Sequence, residues 1–102
     1  MRIIVPFNLK PGTDVAEYEE WARTTDLPTA GGLPSVTSFT VHKATGLFGD
    51  PDTPPPYAYF EVLDITNMED FMADISDPDF QAAVAPFQTY ADAPQFILTE
   101  DI

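Results

Sequence analysis

The chain opens on a run of apolar and β-branched positions, Arg2 to Leu9 (RIIVPFNL), the pattern of a buried strand. Pro6 weakens it slightly, because proline has no N–H for a ladder. Lys10-Pro11-Gly12 reads as a turn and Thr13 as a helix N-cap, with Asp14 and Glu17 near the positive end of the helix dipole. Tyr18, Trp21, Ala22 and Thr25 then recur at i, i+3, i+4 and i+7, one face of a helix, with Glu19, Glu20 and Arg23 on the other. Pro28 and Gly31-Gly32 end it. From Ser35 to Ala44 the period changes to two, with Val36, Ser38, Thr40 and His42 on one side and Thr37, Phe39, Val41 and Lys43 on the other. The proline-rich segment Thr45 to Pro56 is a loop. Tyr57 to Ile65 alternates again, placing Tyr57, Tyr59, Glu61 and Leu63 opposite Ala58, Phe60 and Val62.

Thr66-Asn67-Met68-Glu69 has the form of a capping box, followed by a helical stripe of Met68, Phe71, Met72 and Ile75. Asp77-Pro78 restarts the helix, Asp as cap and Pro at the first position. Phe80, Val84 and Phe87 continue the apolar face around Pro86, and Gln95 to Glu100 is a last strand. The order β-α-β-β-α-β predicts an α+β, ferredoxin-like sandwich, a four-stranded antiparallel sheet with two helices on one face. The strands carry large apolar residues on both faces, so the uncovered face calls for a second copy, a homodimer packed sheet to sheet.

Composition narrows the function. The 102 residues suit a single domain spanning 1–102, and eight Phe, four Tyr and one Trp supply material for a core. Seventeen acids against four bases give a net charge of −13, and all four bases (Arg2, Lys10, Arg23, Lys43) precede Ala44. Such a surface repels phosphate, so nucleic acid and anionic membranes are disfavoured as partners. Asp outnumbers Glu eleven to six, a balance that fits adaptation to high salt. No apolar run approaches a transmembrane length and no signal-peptide pattern is present, so the expected location is the cytoplasm. Cysteine is absent, which removes disulfides, thiolate nucleophiles and Cys-based metal sites. With one His, neither a metal site nor a cofactor is expected. Dinucleotide and phosphate-loop fingerprints and the G-x-S-x-G elbow are also missing.

The succession VPFNLKPG, EYEEWARTTDLP, LPSVTSFTVHKATGLFG, PYAYFEVLDI and FILTED resembles, over nearly the whole length, the REDY-like (HapK-type) proteins of the dimeric α+β barrel superfamily. That resemblance implies the barrel fold and the homodimer, and an association with prodigiosin-type secondary metabolism. Across the wider superfamily it is compatible with cofactor-free oxygenases, cyclases and binding proteins alike.

Six residues are candidates for chemistry. His42, the only histidine, would be a general base, or else ends a strand in solvent. Asp26 would orient it or receive a proton, unless it simply terminates the first helix. Trp21, Tyr57, Tyr59 and Glu61 would line a ligand site. The ordinary alternative for Trp21 is core, and for Glu61 an ion pair with Lys43 or Arg2. Two functions follow. The favoured one is an auxiliary protein binding a small apolar or aromatic molecule in a cleft between sheet and helices. The other is a cofactor-independent enzyme acting on an activated aromatic with His42 as base.

Overall fold

The period-two pattern of the third apolar segment sets the centre of the structure, a computed structural model describing residues 1–102. In β3 (Tyr59–Ile65), Tyr59, Glu61, Leu63 and Ile65 are buried on one face, and Phe60, Val62 and Asp64 are half-buried on the other. β1 (Arg2–Leu9) runs antiparallel to it, with Ile3, Val5 and Phe7 opposite Leu63, Glu61 and Tyr59. On the other side of β3, β2 (Val36–Lys43) sets Phe39, Val41 and Lys43 opposite the same three residues. The far side of β1 is shared by two short strands, β4 (Ala91–Asp92) against Asn8 and Leu9 and β5 (Ile97–Thr99) against Arg2 to Ile4. The fold is therefore the expected α+β antiparallel sandwich, with five strands rather than four.

That division explains how Pro6 sits in a central strand. The N–H of Lys10, four residues on and so facing the same way, donates to the Tyr90 carbonyl beside β4. The N–H that Pro6 lacks would point to the same edge, at the break between β4 and β5, where no ladder bond is lost.

The helices close over the face carrying Ile3, Val5 and Phe7, and one core cluster joins these to Tyr18, Ala22, Leu63, Ile65 and Phe87. Phe7 and Tyr18 are wholly buried, each contributing about 1.5–3 kcal/mol of apolar transfer. No helix is long and apolar enough to cross a membrane.

Four local readings need correction. The first helix is capped by Asp14, whose side chain accepts the Glu17 N–H, not by Thr13. It also does not stop at Pro28 but runs on to the expected Gly31-Gly32: α1 (Val15–Trp21) passes through a π turn (Ala22–Asp26) into α2 (Leu27–Gly31), capped by Gly32, with the Leu27 N–H reaching back five residues to the Ala22 carbonyl. A proline ring clashes with the carbonyl four residues before it, here Thr24, and a widened turn relieves that clash. In α3 (Met68–Ile75) the cap is Asn67, accepting the Asp70 N–H, one residue later than the expected Thr66–Glu69 box. Finally, a bulge between Val36 and Ser38 puts Val36 in the core, while Ser38, Thr40 and His42 stay on the outer face. Asp77 caps α4 (Pro78–Val84) as expected, and α5 (Pro86–Tyr90) follows.

Candidate functional site

The widened turn after α1 determines where Asp26 goes. Buried positions on this helical stretch are Tyr18, Ala22, Asp26 and Ala30, four residues apart throughout. A regular α-helix would rotate that series steadily off the core, and one π turn brings it back. Asp26 thereby stays over the sheet, only 4% exposed, and meets Glu61, 5% exposed, projecting up from the middle of β3.

These two carboxyls form a pair without a cation. The expected partners of Glu61 are engaged elsewhere: Lys43 Nζ donates to Glu19 Oε2 at 2.8 Å, and the Arg2 guanidinium grips Asp64 with Nε–Oδ1 at 2.8 Å. Asp26 Oδ2 and Glu61 Oε1 are buried, and no protein N–H or O–H donates to either. Burial pushes the pKa of both groups above the ordinary carboxylate range. Glu61 moves further, since the charge on Asp26 and the hydrogen bond between the two carboxyls favour its protonated form; that hydrogen bond opposes the rise at Asp26. Two buried carboxyls that close cannot both ionise cheaply, so at neutral pH the pair holds one proton, chiefly on Glu61. Beside it lies the Tyr18 hydroxyl, buried and without a partner, its pKa raised by burial and then by the charges of Glu61 and Asp26.

The pair opens onto a cavity of about 490 Å³ between the sheet and α2 to α5. Fourteen of its seventeen lining residues are hydrophobic, including Phe39, Leu63, Phe71, Phe80 and Phe87; Asp26, Glu61 and Gln88 are the polar ones. Met72, Phe96 and Leu98 also line it and are each more than half exposed, so they form its mouth, between α3 and the segment carrying β5. The arrangement combines a largely apolar, aromatic-sized space with one proton donor and one proton acceptor on a single wall.

Of the six candidates read from sequence, Asp26 and Glu61 come together in this cavity and the other four lie outside its lining. His42 is exposed on the outer face of β2, an edge strand, with Nε2 2.9 Å from Thr40 Oγ1. Trp21 is half-buried in an aromatic cluster, its ring centroid 5.6 Å from Tyr90 and 6.3 Å from Tyr18. Tyr59 packs against Phe7 and donates to Glu19 Oε2 at 2.6 Å. Tyr57 precedes the regular strand and turns to the other side, against Phe60 at 6.2 Å, so it does not share a face with Tyr59 and Glu61. The sequence pattern placed Tyr18 only on the inner face of the first helix and did not mark Gln88. Tyr18 had a usable signal, the four-residue spacing from Tyr18 to Asp26 and on to Ala30, whereas Gln88 had none.

Comparison with known proteins agrees with this architecture. No curated protein sequence matches the chain. Among solved structures, HapK from Hahella chejuensis is 28% identical, with 100% of this chain and 97% of that one covered at a TM-score of 0.71. A dimeric ferredoxin-like protein of unknown function from Thermobifida fusca is 21% identical over 94% of this chain and 85% of that one, TM-score 0.70. SnoaB, a cofactor-independent oxygenase from Streptomyces nogalater, is 13% identical over 99% and 93%, TM-score 0.71; at that identity the likeness concerns the fold. The family described as REDY-like protein HapK matches residues 1–102, and the chain belongs to it.

Proposed function

We propose that this protein binds a small, largely apolar aromatic molecule in the cavity between sheet and helices, as an auxiliary protein of secondary metabolism that works as a homodimer. The observation that carries this reading is the proton-sharing pair Asp26–Glu61 on the wall of an otherwise apolar cavity of about 490 Å³. A buried polar pair without protein donors is costly to keep, and a ligand that hydrogen-bonds to it offsets that cost. The dimer is supported by the outer sheet face, where Ile4, Phe60 and Val62 remain half-exposed, and by the Thermobifida relative described as dimeric. Identifying a molecule released on denaturing the purified protein, by mass spectrometry, tests the reading. Valine 84 on the cavity wall gives the control: Val84→Trp fills the space and is expected to abolish retention. Retention undiminished in Val84→Trp would place the ligand elsewhere and sink the proposal.

The same pair favours a second reading, a cofactor-independent enzyme moving protons on an activated aromatic. Asp26 would accept a proton and Glu61 donate one, in place of His42, which lies outside the cavity lining. On a substrate identified this way, Asp26→Asn is expected to lower turnover by about 100-fold or more. His42→Ala is expected to leave it unchanged. The reverse ranking would return the chemistry to His42.

A further inference from the structure

The cavity has no positive charge of its own. None of its lining residues is Lys, Arg or His, and the Lys and Arg side chains are all engaged: Arg2 with Asp64, Arg23 and Lys43 with Glu19, Lys10 with the Gln88 carbonyl; the N-terminal ammonium donates to the Ile65 carbonyl. What the cavity offers a polar ligand is Gln88 and the two carboxyls, neither of which has a protein cation beside it. A carboxylate or phosphate ligand would meet like charge in a medium of low dielectric, with no cation to hold it. A neutral donor would meet one carboxylate and one protonated carboxyl. A cation can displace the shared proton and be held by both carboxylates.

We propose, resting on the cavity reading above, that the ligand class is apolar molecules bearing a protonated nitrogen, held by N–H donation to the Asp26–Glu61 pair. The charge accounting is simple. Before binding, the two carboxyls share one proton and carry a net charge of −1. When R–NH₃⁺ enters, that proton leaves to the buffer, and two carboxylates with one ammonium again sum to −1. The ligand cation takes the place of the proton, so the cavity gains no charge on binding. Uptake of such a ligand is therefore tied to release of about one proton. The protein's net charge of −13 also draws cations toward the mouth of the cavity.

Three probes of one shape test this: 2-naphthylmethylamine, 2-naphthalenemethanol and 2-naphthoate, titrated calorimetrically at neutral pH in phosphate and in Tris. The amine is expected to bind about tenfold or more tighter than the alcohol, and naphthoate weakest. The difference in heat between the buffers should report about one proton released per amine and none for the alcohol. In Asp26→Asn/Glu61→Gln, with the fold checked by its thermal melt, the amine's advantage and its proton release should both vanish. The single Glu61→Gln variant should lose the proton release alone, and either loss supports the assignment. An amine that binds no tighter than the alcohol, or binds without proton release, overturns the ligand class while leaving the cavity reading intact. Failure of all three probes to bind overturns both.

Discussion

Glu61 occupies the centre of β3, where an apolar side chain would pack without cost, and this has a measurable consequence. A carboxyl whose folded-state pKa lies above its unfolded value binds more protons folded than unfolded. Its stabilising share is complete below the ordinary carboxylate range, near about pH 4, and is lost as pH rises through the raised folded value. Both Asp26 and Glu61 are shifted upward, so stability should decline from mildly acidic to alkaline pH. Asp64 beside Arg2 and Glu19 beside Lys43 are shifted the other way, but both are solvent-screened, and their contribution falls below the carboxylate range. Glu61→Gln keeps the shape and removes the titration. Urea unfolding should find it more stable than the parent by about 1–3 kcal/mol at alkaline pH, with the difference shrinking as the pH is lowered. A parent whose stability rises across that range would show that the pair is not as buried or as close as described.

At the scale of elements, the helix caps make a sharper test than the helices themselves. Asn67 accepts the Asp70 N–H at 2.8 Å, while the Thr66 side chain makes no bond at the helix start. Asn67→Ala should therefore cost about 1 kcal/mol, and Thr66→Ala no more than about 0.5 kcal/mol. Equal costs, measured by chemical denaturation, would restore the capping box read from sequence. The contrast also shows where sequence patterns lose resolution. Alternation in Tyr59–Ile65 and the Asp77-Pro78 start were legible because each is a local rule, met within a few residues. The Pro28 reading failed because a proline's clash can be absorbed by widening a turn as well as by ending a helix, and the packing of Asp26 and Ala30 decides between them. One inserted residue at the Val36–Ser38 bulge likewise moved Val36 to the other face. The site was half legible for the same reason. Burial of Glu61 could be entertained from strand parity, but that Lys43 reaches Glu19 instead, leaving Glu61 to Asp26, depends on where a helix lies over a sheet.

Charge acts on the molecule as a whole. Of the twelve acids after Ala44, Asp64 alone forms an ion pair, and Glu19 absorbs both Arg23 and Lys43. Apart from the buried Glu61, the remaining carboxylates face one another largely through solvent, and their repulsion raises the free energy of the compact state more than that of the expanded chain. Salt that shortens the screening length from about 30 Å at 0.01 M to about 3 Å at 1 M should relieve it. Pairing two such chains, as proposed above, would double the charge gathered in one particle, so the proposed homodimer would gain more from screening than a monomer. Thermal melts should shift upward with sodium chloride, by about 4–8 °C for each kcal/mol of repulsion removed, and the shift should saturate once the screening length falls below the spacing of neighbouring carboxylates. If the chain pairs as proposed, the same melts should move upward with protein concentration at fixed salt, because dissociation would accompany unfolding. The two dependences separate the causes. A midpoint that responds to salt and not to concentration would assign the acidity to a monomer's solvation. A midpoint indifferent to salt would mean that the acids stand too far apart to matter, and the excess of Asp would lose its physical account.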